Sequence, residues 1–234
     1  MKQQGGGSSL SIIVPTLNEA AGIVSFLQSL QPLRREGVEL IVADGGSRDD
    51  TVDLASPLAD RIVSSPRGRA LQMNSGAALA AGEVLLFLHA DSRLPDGAGR
   101  LILDGLGRSG FCWGRFDVRL SGTHILLRAV ERLMNLRSRI TGIATGDQAM
   151  FMTRKAYEEA GGFPEIALME DIEMSARLRR LGAPLCLEAP VIASSRRWES
   201  RGVALTILLM WRLRLCYLLG ADPDRLASIY YREG

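Results

Sequence analysis

Within the first 90 residues, short apolar runs alternate with single helical stretches, and that alternation restricts the fold more than any other feature of the chain. Residues 10–14 (LSIIV), 38–43 (VELIVA) and 83–88 (EVLLFL) read as buried strands, with 61–64 a weaker one. Between them lie a helical stretch ending near Leu30, a short helix capped by Asp49 or Asp50 and reaching Leu58, and the alanine-rich helix 69–81. Apolar strands separated by single helices call for a mostly parallel sheet covered on both faces, so the expected class is α/β.

After residue 110 the rhythm loosens. Residues 112–120 alternate like a half-exposed strand, 124–136 look helical, and 148–153 (QAMFMT) read as a strand. A helix leads from Arg154 into the turn Gly161-Gly162, and another covers 170–181 before Gly182. Short strands are expected at 185–187 and 191–193, followed by two terminal helices separated by Asp222-Pro223.

In open α/β sheets, ligands bind outside the carboxyl ends of the strands. The strand exits here carry Pro15-Thr16-Leu17-Asn18-Glu19, Asp44-Gly45-Gly46-Ser47 and His89-Ala90-Asp91-Ser92. Three polar clusters at corresponding ends point to one pocket. PTLNE lacks the glycines that let backbone approach a dinucleotide pyrophosphate, and no GxxxxGK[ST] occurs, which disfavours dinucleotide binding and P-loop phosphoryl transfer. A sugar-phosphate nucleotidyltransferase would also want a glycine-rich, basic signature there. Asn18 serves either as a ligand contact or as a helix cap. Asp91, directly after a buried strand, suits Mg²⁺ or Mn²⁺ bridging phosphate oxygens. His89 beside it is either a further ligand or a hydrogen-bonding core residue.

A second acidic centre is Glu170-Asp171. Met174, Leu178 and Leu181 follow Asp171 in one helical stripe, which places Asp171 at the head of the buried face. Either both acids complement the helix dipole, or one edges a cleft as general base toward a hydroxyl.

Composition narrows the partners. The 234 residues hold 47% hydrophobic and 23% charged residues with a net charge of +2, a balance that suits one globular domain and offers nothing to a nucleic-acid partner. Three widely spaced cysteines, Cys112, Cys186 and Cys216, have no metal-ligand spacing and read as reduced thiols of a cytoplasmic protein. Residues 1–9 read as a flexible lead-in without the apolar core of a secretory signal. The segment 202–220 (GVALTILLMWRLRLCYLLG) is apolar except for Arg212 and Arg214, which lie about 200° apart on a helix. A membrane span would have to bury one of them, so a C-terminal helical extension over 201–234 is expected to dock on the domain, on a second subunit as a homodimer, or on a membrane surface.

SIIVPTLNEA, VADGGSRDDT, GRALQMNSGAALAAGEVLLFLHADS and GDQAMFMTRKAYEEAGGFPEIALMEDIEMSARLRRLG together resemble glycosyltransferase family 2 over roughly residues 10–198, within a domain expected to span 10–200. The resemblance implies a GT-A fold, an inverting transfer from a nucleotide-sugar donor, and Mn²⁺ or Mg²⁺ as cofactor. By position it implies that Pro15, Thr16, Asn18, Glu19 and Asp44 bind the nucleotide, with Asp44 on the base. Asp91, where the metal-binding DxD motif ends, would hold the cation and diphosphate. Asp171 would be the catalytic base. Asp147, Gln148, Glu170 and Trp198 would border donor sugar and acceptor. Histidine stands at position 89 where many members have an aspartate, and Arg197-Trp198 loosely matches the arginine-tryptophan motif of processive members. HADS, GRALQMN and SSRRW also resemble a bacterial subgroup associated with arsenosugar biosynthesis. The acceptor, small or lipid-linked, is left unnamed. A non-catalytic nucleotide-sugar binder is the remaining alternative, which the presence of Asp171 disfavours.

Overall fold

The computed structural model describes residues 9–232, so the lead-in lies outside the described residues except for Ser9. The first half runs β1 (Leu10–Thr16), α1 (Ala20–Arg35), β2 (Glu39–Asp44), α2 (Thr51–Ala55), β3 (Arg61–Ser64), α3 (Arg69–Leu79), β4 (Val84–Phe87) and α4 (Ala98–Ser109). The second half adds β5 (Trp113–Leu120), α5 (Ile125–Thr141), β6 (Phe151–Thr153), α6 (Arg154–Glu159), α7 (Glu170–Leu178), β7 (Leu185–Ala193), α8 (Arg196–Arg201), α9 (Val203–Leu218) and α10 (Pro223–Arg232).

The strands form one seven-stranded sheet in the order β3-β2-β1-β4-β6-β5-β7. Every pairing is parallel except those of β6, which runs antiparallel to both neighbours, β4 and β5. The expected α/β, mostly parallel architecture is therefore present. The period of two along β1 explains the two layers. Ile12 and Val14 face one cluster with Ile23, Leu27 and Leu30 of α1, while Ile13 faces the other with Met73 and Ala77 of α3. A third, smaller cluster joins Leu213 of α9 and Leu226, Ala227 and Tyr230 of α10 to Leu168 and Met169. The C-terminal helices thus pack over the segment that precedes α7.

Several expected boundaries move. The run 148–153 splits into a tight 3-10 turn at Gly146–Gln148 and a strand of only three residues, with Ala149 forced to φ 46° between them. The two short strands at 185–187 and 191–193 are one strand, bulged so that Phe116 pairs with Leu187 and Asp117 with Pro190. Proline has no N–H for a ladder, so the register shift falls where the ladder is already weakened. Helix α1 runs past Leu30 to Arg35 and α5 past Leu136 to Thr141, because amphipathic packing carries both across residues of modest helix propensity. At α2, Asp50 occupies the cap position without a side-chain cap bond. Asp49 instead accepts from Thr51 N at 3.1 Å and from Ala20 N at 3.1 Å, tying the starts of α2 and α1 together.

The tightest approach in the sheet is at Gly114 on β5, where a Cβ would overlap the Leu185 carbonyl and the Phe151 ring. Gly114→Ala should destabilise the protein by about 3 kcal/mol, since backbone blocks one side of the clash. Gly107→Ala on α4 meets open space and should stabilise by about 0.5–1 kcal/mol. Urea unfolding of the two variants checks the opposite signs.

Candidate functional site

Because six strands run one way and β6 the other, the carboxyl ends of β1, β4 and β7 and the residues entering β6 meet on one edge of the sheet. A cleft of about 830 Å³ opens there. Pro15, Thr16 and Glu19 enter it from β1, His89 and Asp91 from β4, and Gly146 and Asp147 from the turn before β6. Glu170 and Asp171 enter from the start of α7, and Trp198 from α8. Its far wall is built by the C-terminal helices through Thr206, Met210 and Arg214 of α9 and Tyr230 of α10. Of the three carboxylates expected to share a pocket, Asp91 and Asp171 do so.

Asp44 stands one layer behind. It is buried, and its carboxylate accepts from Gly46 N and Ser47 N, each at 2.9 Å, and from the Ser47 hydroxyl. Asn18 is likewise turned from the cleft and does not cap α1. Held at φ 54°, it accepts from Arg48 N at 2.9 Å through Oδ1, and its N–H donates to Ser47 Oγ at 2.9 Å. Gln148, expected at the sugar pocket, is fully buried and closes a capping box with Thr145. Its amide shapes the turn that presents Gly146 and Asp147. Side-chain amides were chosen by residue type in the sequence, and residue type does not say which way an amide faces.

Two arginines and a glutamine line the cleft without having been expected there. Gln72 of α3 donates from Nε2 to Thr16 O at 2.6 Å and to Ala43 O at 3.0 Å, locking the exits of β1 and β2 to the helix. Arg69 Nη1 lies 3.3 Å from Glu170 Oε1. Both sit in the GRALQMN segment, whose alanine-rich periodicity hides them. Arg214 lies in a segment whose apolar composition draws attention to membranes rather than to a cleft.

The acids differ in environment. Asp171 is half-buried, with Oδ2 accepting from Gly146 N at 2.8 Å and Oδ1 from Ile172 N at 2.7 Å. Glu170, not Asp171, is the residue on the buried face, at 3% side-chain exposure. Burial pushes the Glu170 carboxyl up, with Arg69 opposing and the neighbouring Asp171 reinforcing. Asp147 behaves oppositely. Desolvation works to raise it, but the His89 hydrogen bond and charge outweigh this and hold it below the usual range. His89 Nδ1 lies 3.6 Å from Asp147 Oδ1, and its ring leaves no room for a side chain at Gly146, where a Cβ would fall 2.5 Å from the imidazole. The histidine is therefore a packing and hydrogen-bonding partner of the turn before β6.

Glu19 is pushed up by burial first and then by Asp91, with Arg196 opposing. Glu19 and Asp91 thus repel across the mouth of the cleft, a concentration of negative charge that suits a hard cation. Among the described residues no three His, Cys, Asp or Glu side chains converge as a complete cage. The donor set fits a cation that takes one or two carboxylates from protein and its remaining ligands from a bound phosphate.

Comparison with known proteins agrees with this architecture. The model of the family described as Glycosyl transferase family 2 matches residues 11–161. The chain belongs to glycosyl transferase family 2. A PGL/p-HBAD biosynthesis glycosyltransferase of Mycobacterium bovis is 41% identical over 91 residues, 36% of each chain, so this chain spans only about a third of that relative's length. An uncharacterized glycosyltransferase of Mycobacterium tuberculosis is 29% identical over 190 residues, covering 76% of this chain and 72% of its own. Among solved structures, a Pyrobaculum calidifontis mannosyltransferase in complex with GDP-Man and Mn²⁺ matches with a TM-score of 0.66 at 22% identity, over 98% of this chain and 70% of that one. Glucosyl-3-phosphoglycerate synthase of Mycobacterium tuberculosis, in complex with Mn²⁺, UDP and glucosyl-3-phosphoglycerate, matches with a TM-score of 0.56 at 24% identity, over 79% and 71%. The fold of this family 2 chain is GT-A.

The raised Glu170 carboxyl has a consequence for stability. Its folded form holds a proton more tightly than the unfolded chain does. The associated stability is therefore complete below the ordinary carboxyl range and is lost as pH rises through the folded value. Glu170→Gln should melt higher than the parent at about pH 8, with the gap closing near about pH 4. Thermal unfolding at the two pH values checks the sign.

Proposed function

We propose that this chain is an inverting glycosyltransferase that moves a sugar from a nucleoside-diphosphate-sugar, UDP-linked, to an acceptor hydroxyl. The observation that carries the reading is that Asp91 and Asp171 face one cleft from the end of β4 and the start of α7. In this reading one carboxylate serves the departing diphosphate and the other the incoming hydroxyl.

In this mechanism Asp171 takes the acceptor proton as the acceptor oxygen bonds to the anomeric carbon. The bond from that carbon to the diphosphate oxygen breaks, and its electron pair leaves with the nucleoside diphosphate. The Gly146 and Ile172 N–H groups hold the Asp171 carboxylate in place for this transfer. Asp91, with Glu19 opposite, would hold Mn²⁺ or Mg²⁺, which supplies charge neutralisation on the diphosphate. Pro15, Thr16 and Glu19 would line the nucleotide pocket, and Asp147 and Trp198 would border the sugar and acceptor. Asn18 would contribute by fixing the loop around Ser47. Asp44 meets the base only when the Ser47 hydroxyl rotates away from it.

The resemblance of HADS, GRALQMN and SSRRW to the arsenosugar-associated subgroup supports an unusual acceptor, small or lipid-linked. Three free thiols support a reducing, cytoplasmic location. The division into a domain over 10–200 and an extension over 201–234 is part of the same proposal, with the extension forming the acceptor-side wall.

Asp171→Asn should lower transfer by about 100- to 10,000-fold while leaving nucleotide binding nearly unchanged. Asp91→Asn should abolish the Mn²⁺-dependent part of the thermal stabilisation that UDP-sugars give the parent. A parent protein that is stabilised by the donor yet neither hydrolyses nor transfers the sugar would be a binder, and the catalytic reading would be lost.

A further inference from the structure

The helix that walls the cleft has a second face that none of the described residues covers. Inward, α9 sends Thr206, Met210 and Arg214 to the cleft. Outward, it exposes Leu205, Leu208, Trp211, Leu215 and Leu218, with Trp211 at 63% and Leu218 at 78%. At 100° per residue these five occupy an arc of about 140°. Helix α5, packed against α9, does the same. Ile125, Leu126, Leu133, Leu136 and Ile140 fall within an arc of about 100°, with Ile125 at 79% and Ile140 at 75% exposure. Such contiguous apolar exposure is unusual for a free protein surface.

Charge selects the occupant. Residues 203–219 contain no Asp or Glu, and the one acid of α5, Glu131, is buried. Exposed Arg212 lies inside the apolar arc of α9, and exposed Arg132 lies about 20° from the edge of the arc on α5. The one acid of α10, Asp224, lines the cleft. A second copy of the chain would bring the same basic, acid-free face across a two-fold axis and supply no countercharge. Leucine, isoleucine and tryptophan with arginines at the border is the composition of a helix lying in a lipid interface, where long arginine side chains reach the headgroups. Among the described residues no helix is long and apolar enough to cross a membrane.

We propose that the outer face of α5 and α9 docks flat on an anionic lipid bilayer. The chain then lies on the surface without spanning it, and the cleft wall formed by α9 stands directly against the headgroup layer. That assignment stands on the helices alone. Its bearing on the acceptor, a hydroxyl presented at the lipid surface, rests on the transferase reading above.

The test is co-sedimentation of the full chain with vesicles of phosphatidylcholine alone or with about one-third phosphatidylglycerol. The parent should bind the anionic vesicles and bind them less as salt rises. The double variant Leu208→Asp/Leu215→Asp should lose at least about tenfold in partitioning. Arg132→Gln/Arg212→Gln should lose about fivefold per arginine on anionic vesicles and little on neutral ones. Thermal shift with UDP-sugar on each variant should match the parent, since none of the four side chains enters the cleft. A parent that stays in the supernatant with both vesicles overturns the proposal. So does a stable dimer in sedimentation velocity that Leu208→Asp/Leu215→Asp dissociates. Absence of donor binding in every form would sink the transferase reading and leave the vesicle result untouched.

Discussion

The site depends on one reversed strand. β6 is only three residues long, yet it is hydrogen-bonded on both sides, to β4 at Leu86–Phe151 and to β5 at Gly114–Phe151. Running against its neighbours, it begins where they end. The turn before it, Gly146–Gln148, therefore sits at the carboxyl edge of the sheet, where a parallel strand would have put a turn at the opposite edge. From that turn Gly146 N reaches Asp171, and Asp147 meets His89. Without the reversal, the Gly146 N–H would not sit at this edge to hold Asp171 at the start of α7.

Stability and chemistry are in tension around this turn. Burial pushes both the Glu170 and the Glu19 carboxyls toward their protonated forms, with Asp171 and Asp91 reinforcing the effect and Arg69 and Arg196 opposing it. Folding gains nothing from crowding acids at the mouth of a cleft. What the arrangement provides is an acidic cleft, which the proposed mechanism uses for a cation and its phosphate. The cost is offset by the apolar layers on either face of the sheet, with Ile12 and Ile13 each fully enclosed.

The first half of the fold was legible because its signals are local. Buried strands such as LSIIV and VELIVA are long enough to show their period, and the strand exits carry their chemistry within five residues. The second half was less so. The strand at 151–153 is too short for a period, the bulged β7 reads as two pieces, and nothing local tells that β6 is antiparallel. Among site residues, Asp91 and Asp171 were recognised by type and position. Asp44 and Gln148 were named too, but each spends its polar atoms on its own loop, and Asn18 spends its own on the loop around Ser47 and Arg48. Gln72 went unnoticed and Arg214 was read only as a charge in an apolar segment, because packing far along the chain brings both to the cleft.

The sequence by itself determined the α/β class, the polar strand exits, the acids available there and the family. These follow from periodicity and from residue type, both of which are properties of short segments. Only the tertiary structure decided that Glu170 rather than Asp171 is buried, that Gln148 supports a turn, and that α9 serves a cleft with one face while leaving the other bare. Those outcomes depend on which side of a helix or turn meets its neighbour, and that is set by long-range packing.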